Sequence, residues 1–185
     1  TATRTVTLNA PITLKGLMLG ESLGGSAYTF AGSALNTLTL DSGGSGNAFV
    51  NLYNNSINTW QAPLILNSNT DFNAFTGTFD INGASNAQVP VTGSGNFIKN
   101  GAGQVRVNGT LTGYNGNFVV NLGTLAIGGA NGATINLGAG TNGITLNGSG
   151  SLDRTNLQLR NNGTGSNGTI QVQGNNKIIA QGAVT

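Results

Sequence analysis

Glu21, Asp41, Asp71, Asp80 and Asp153 are the five acidic side chains of this 185-residue sequence, which contains neither histidine nor cysteine. Chemistry from such a set would have to come from paired carboxylates, as in glycoside hydrolysis, or from a base working with a metal, as in polysaccharide-degrading enzymes. Each acid is isolated in sequence, Asp71 and Asp80 being the nearest two, and the usual general base near neutral pH is missing. The residue set therefore argues against an enzyme, and a spatial pair of Asp71 with Asp80 is the one arrangement that would revive it. No cofactor or metal site is expected. The stretch "GGSGN" at 43–47 echoes calcium-binding nonapeptide repeats but lacks their repeated aspartate, and reads as a loop.

The cations are equally sparse. Arg4, Lys15, Lys99, Arg106, Arg154, Arg160 and Lys177 are scattered, and the formal net charge is +2. A nucleic-acid partner would need clustered Lys and Arg, so none is expected. Without cysteine there is neither a disulfide framework nor a thiolate metal site. No run approaches 18 apolar residues, so no membrane-spanning helix is expected, and the first residues do not read as a secretion signal. Five Asn-x-Ser/Thr sequons begin at Asn54, Asn108, Asn147, Asn162 and Asn167, as chance gives in a chain this rich in those residues.

What remains is a polar, nearly uncharged chain. Charged residues make up 6%, against 31 Gly, 28 Asn and 23 Thr, far below the roughly 25% charge of ordinary domains. Disorder would call for low hydrophobicity with high net charge, whereas 37% of this chain is apolar. Those residues alternate with polar ones in "TVTLN" (5–9), "LNTLTL" (35–40), "QVRVN" (104–108), "TLAIG" (124–128), "TINLG" (134–138), "GITLN" (143–147), "NLQLR" (156–160) and "TIQVQ" (169–173). Period-2 alternation predicts short strands with one buried face. Asn-Gly pairs at 82, 108, 131, 142, 147, 162 and 167 predict tight turns with positive φ. No window carries a helical period.

Successive strands lie close in sequence, and the pattern recurs. That favours one elongated all-β domain over residues 1–185, a β-solenoid with two or three strands per turn, over a sandwich with long returns. Aliphatic side chains would stack inside it, and neutral amides and hydroxyls would form outer ladders where stacked like charges would repel. Residues 1–90 are richer in aromatics and residues 91–185 more repeat-like.

Within the second part, Gly93, Gly95, Phe97, Lys99, Gly101, Gly103, Val105, Val107, Gly109, Tyr114, Gly116, Val120, Gly123, Thr124 and Leu125 agree in type and spacing over about thirty positions with a known motif. This stretch resembles the autotransporter-associated β-strand repeat of bacterial surface proteins, and "RTVTLNAPITLKGLMLG" at 4–20 is similar to segments that flank such repeats. The motif's usual Asn-Thr-Tyr-Thr-Gly is shortened here to "TGYNG" at 112–116. The resemblance implies a right-handed parallel β-helix exported to the cell surface, with no catalytic role. Lys99, at the motif's lysine position, is expected to cap a turn or cover apolar surface with its stem.

Phe49, Tyr53, Trp60, Phe72, Phe75 and Phe79 crowd into residues 48–81. They read as a thick core, or, if partly exposed, as an interface or glycan platform in which Trp60, Tyr53, Phe72 and Phe75 would make contact. Two functions are thus expected from this chain. One is a structural protein of the bacterial outer surface or extracellular matrix, its partners further copies joined end to end or laterally into fibres or a layer. The other is a passenger adhesin holding surface glycans through the aromatic segment.

Overall fold

The computed structural model describes residues 2–20, 25–81, 89–111, 113–129, 135–136, 143–147, 155–161, 170–171 and 177–181. Within them the protein is all-β, and every strand pairing is parallel. Strands β1 (Arg4–Leu8), β2 (Ile12–Leu14) and β3 (Gly16–Leu19) open three different sheets. The next three, β4 (Tyr28–Gly32), β5 (Leu38–Leu40) and β6 (Ala48–Leu52), pair with them in the same order. Then follow β7 (Ile57–Gln61), β8 (Leu64–Leu66) and β9 (Thr70–Ala74), and β10 (Thr78–Ile81), β11 (Val91–Gly93) and β12 (Phe97–Asn100). Each triplet forms a rung, and the chain visits the three sheets in rotation.

Among the described residues, the later rungs extend the first and third sheets. β13 (Gln104–Val107), β15 (Gly123–Gly129) and β18 (Thr155–Asn161) extend the first sheet, while β14 (Phe118–Val120), β17 (Gly143–Asn147) and β20 (Lys177–Gln181) extend the third. Between β13 and β14 the described residues continue the second sheet as isolated bridges, Pro90 to Thr110 and Gly93 to Tyr114. β16 (Ile135–Asn136) pairs with β19 (Ile170–Gln171) in a separate two-stranded sheet.

Alternation along each strand sends every second side chain inward, and parallel in-register pairing puts equivalent residues one above another. In the first sheet one such interior column is Val6, Phe30, Trp60, Ile81, Val107 and Ile127. In the second it is Ile12, Leu38, Leu64 and Val91, and in the third Leu17, Val50, Phe72, Lys99, Val120 and Leu146. These columns meet in one core. A fully buried aliphatic contributes about 1.5–3 kcal/mol and a neutral hydrogen bond about 1 kcal/mol net, so the interior columns dominate the stability of the stack and the outer ladders tune it.

Aromatic rings run through that core as a near-continuous chain. Phe30 stacks on Trp60 with centroids 4.9 Å apart, Trp60 lies 6.3 Å from Phe79 and Phe79 6.1 Å from Phe72. Phe72 stacks on Phe97 at 3.8 Å, and Phe97 lies 5.4 Å from Phe118. Sequence alternation did not separate the five strands β6 to β10 from one another, because their interior positions mix aromatics with Asn58, Thr70 and small residues.

The expected positive-φ Asn-Gly turn needs correcting at Asn108-Gly109. Among the described residues the glycines at positive φ are Gly20, Gly43, Gly44, Gly46, Gly93, Gly101 and Gly123, and Gly109 is not one of them. It is glycine for closeness instead, since a Cβ there would overlap the Val89 carbonyl oxygen of the rung beneath. The pairs at 82, 131, 142, 147, 162 and 167, the sequons at Asn162 and Asn167, and Glu21, Asp153 and Arg154 fall wholly or partly outside the described residues.

Candidate interaction surfaces

The three described acids stand apart. Asp71 on β9 accepts from Asn47 Nδ2 at 2.9 Å and from Asn100 Nδ2 at 3.0 Å. Asp80, on β10 in another sheet, accepts from Asn108 Nδ2 at 2.8 Å and pairs with Arg106 at 3.6 Å. Asp41 accepts from the Gly43 N–H at 2.9 Å and from Ser68 Oγ at 2.9 Å, and these bonds, the Gly43 one first, hold its carboxyl below the usual range. Asp71 and Asp80 are thus committed to separate local networks on separate sheets. Among the described residues no three acids, histidines or cysteines gather as a metal site would require. The 43–47 loop holds Gly43, Gly44 and Gly46 at positive φ, and the Lys15 ammonium reaches over it to the Ser45 carbonyl at 3.1 Å.

The motif residues of the second part form a packing unit. Gly93 follows Leu14, Leu40 and Leu66 in register and bridges to Tyr114 of the next rung, and at its positive φ a Cβ would overlap the Leu66 carbonyl oxygen of the rung beneath. The Tyr114 hydroxyl is completely buried and lies 3.0 Å from the Gly95 and Asn117 carbonyl oxygens. Burial raises its pKa well above that of a free phenol. Lys99 does more than cover surface with its stem. Its side chain points inward, fully buried, and its Nζ donates to the carbonyls of Asn100 at 2.7 Å, Gly101 at 2.6 Å and Leu122 at 3.0 Å. Burial pulls the Lys99 ammonium down to about 7. The three carbonyls pull the other way, since an ammonium can donate to all three and a neutral amine to two.

The proposed aromatic contact surface divides in two. Trp60 and Phe72 are each 1% exposed, so neither can meet a partner: strand alternation turns them inward, and the Trp60 indole N–H donates to the Ala62 carbonyl at 2.6 Å. Tyr53 and Phe75, just past the ends of β6 and β9, are 37% and 44% exposed and stack on one another at 5.1 Å. Each ring covers one face of the other, which leaves less open ring face than a sugar-stacking platform offers. Trp60 is the one tryptophan of the chain, so fluorescence excited selectively at tryptophan, beyond the tyrosine absorption, reports on it alone. We expect blue-shifted emission and iodide quenching several-fold weaker than in the urea-unfolded chain, and native quenching equal to the unfolded value would contradict the burial.

The sequence reading anticipated outer ladders but not which residues form them. On the outer face of the third sheet, Asn73 Nδ2 donates to Asn51 Oδ1 at 2.7 Å, Asn121 Nδ2 to Asn100 Oδ1 at 2.9 Å, and Asn147 Nδ2 to Asn121 Oδ1 at 2.9 Å. A second ladder climbs the corner before that sheet: Asn69 Oδ1 accepts from the Asn96 N–H, Asn96 Oδ1 from the Asn117 N–H, and Asn117 Oδ1 from the Gly143 N–H, at 3.0, 3.0 and 2.9 Å. The readable signal was Asn placed directly before inward-facing Ala48, Thr70, Phe97 and Phe118.

At the first rung, an apolar cavity of about 140 Å³ is lined by residues including Leu8, Ile12, Leu14, Leu17, Phe30 and Trp60. Val6 and Ile12 beside it are 42% and 39% exposed. No protein family, no curated protein and no solved structure matches this chain.

Proposed function

We propose that this chain is a non-enzymatic structural protein, a right-handed parallel β-solenoid of the bacterial outer surface or extracellular matrix whose copies associate into fibres or a layer. The observation that carries this reading is the rotation of the chain through three parallel sheets, in-register inside on apolar columns and outside on neutral amide ladders. Such a body is stabilised rung by rung, without a cleft to shape or charges to balance. Right-handedness follows the rule that crossovers between parallel strands of one sheet are almost always right-handed. The surface location follows the resemblance of residues 93–125 to the autotransporter-associated repeat. The three described acids are bound into separate local networks, which favours a non-catalytic reading, and the buried Trp60 and Phe72 remove two of the four side chains a glycan adhesin would have used.

The test is assembly. Negative-stain images and fibre diffraction of concentrated protein are expected to show fibres or sheets with an axial repeat of about 4.8 Å. Dispersed particles at every concentration would overturn the assembly reading.

A further inference from the structure

The outer face of the third sheet is built differently from an ordinary solvated sheet surface. Its outward side chains fall into two adjoining columns. The first, from β6 to β17, is Phe49, Asp71, Ile98, Val119 and Thr145, and the second, from β3, is Met18, Asn51, Asn73 and Asn100, continued by Asn121 and Asn147. Tyr53 and Phe75 rise beside the second column, and the Asn51 amide donates to the Tyr53 hydroxyl at 3.2 Å. Met18 is 67% exposed. Large apolar side chains on a solvent-side face are costly to leave wet, and they are grouped here rather than scattered.

From β3 to β17 the described outward side chains of this face include no cation, and their one anion, Asp71, has both oxygens occupied by Asn47 and Asn100. Within the ladder Asn121 uses one N–H and one oxygen lone pair, Asn73 one N–H and Asn100 one oxygen lone pair, which leaves amide donors and acceptors over for a partner. A surface made of such groups is complementary to itself. A second copy related by a twofold axis meets amide with amide and apolar stripe with apolar stripe, with no like charges opposed and the same repeat on both sides.

We infer that this face is the lateral interface between two copies of the chain. Six strands at ~4.8 Å spacing and up to five residues at ~3.3 Å give a face of about 29 Å by 16 Å, or roughly 1,000 Å² across both copies with its aromatic corner. That is the lower bound for a specific interface, so the pair is a weak one. Twofold pairing closes at two copies and therefore thickens a fibre rather than extending it. The inference rests on the reading of the chain as a self-associating protein and names the surface that does it.

Sedimentation velocity on the purified chain over a broad concentration range tests it, with far-UV circular dichroism and the urea midpoint checking the fold of each variant. Val119→Lys and, separately, Phe75→Lys are expected to weaken pairing at least tenfold by bringing unpaired charge into the contact, while Thr39→Lys, on the outer face of the second sheet, leaves it unchanged. Phe75 lies outside the strands, so its variant stands if Val119→Lys does not fold. Association as strong in both folded face variants as in the wild type would overturn this interface and leave self-association standing. Equal weakening by Thr39→Lys would reduce the effect to net charge and overturn the interface as well. A wild type that stays monomeric throughout would overturn interface and self-association together.

Discussion

Gly123→Ala is expected to destabilise the protein by roughly 2–5 kcal/mol, and Gly43→Ala by only about 1 kcal/mol, although both glycines sit at positive φ, 76° and 65°. The left-handed backbone costs any L side chain about 1–2 kcal/mol and is common to the two sites. Their surroundings differ. Around Gly43 a Cβ meets nothing within 4 Å, while at Gly123 it would overlap the Gly101 carbonyl oxygen and lie 2.6 Å from that of Gly103. Those oxygens belong to the backbone of the rung beneath, which cannot swing aside as a side chain can. Relieving the clash means prising β15 from β13 or bending the turn before it, and both break pairings of the first sheet. Urea unfolding of the two variants measures the difference. Equal losses would mean that the corner between rungs is soft, and that the motif glycines are there for conformation alone.

That contrast also shows what could be read from the residues. Fold class was legible because alternation in stretches such as "QVRVN" and "GITLN" depends only on the local choice of inside and outside, and β13 and β17 fall there. The number of strands per rung was not, because the rung length varies. Equivalent residues linked across rungs lie 22, 27, 21 and 26 apart, so no fixed period marks them. The outer asparagine ladder was hidden for the same reason, and also because asparagine serves three physical roles in this chain. Asn121 links rungs on a face, Asn96 caps a corner, and Asn54 and Asn58 form a fully buried reciprocal pair at 3.1 and 2.7 Å. Composition gives no means of telling these apart. For the aromatic segment, sequence gave the cluster but not its orientation: Phe72 faces in and Phe75 faces out, and only the point at which β9 ends decides between them.

Lys99→Met is expected to change both the size of the stability and its dependence on pH. Methionine fills similar space and needs no hydration, which removes the cost of burying an ammonium, but it leaves the Asn100, Gly101 and Leu122 carbonyls without the donor they share. An orphaned buried acceptor costs about 1–3 kcal/mol, and there are three of them, so the balance at neutral pH falls on the side of destabilisation by about 2–4 kcal/mol. The pH dependence separates this from an ordinary packing defect. With the buried amine lowered to about 7 and the unfolded one at 10.5, the unfolded chain binds more protons between those values. Wild-type stability therefore rises with pH through that window, by at most about 1.4 kcal/mol per unit. Above pH 10 the sign reverses through Tyr114, whose raised pKa keeps the folded phenol neutral while the unfolded one ionises. Lys99→Met should lose the rise and keep the fall. Stability curves from urea unfolding at pH 6.5 to 10.5 test this directly. A wild type as flat as the variant below pH 10 would mean that three carbonyls hold the ammonium charged against its burial, making Lys99 a permanent cationic clamp between two rungs.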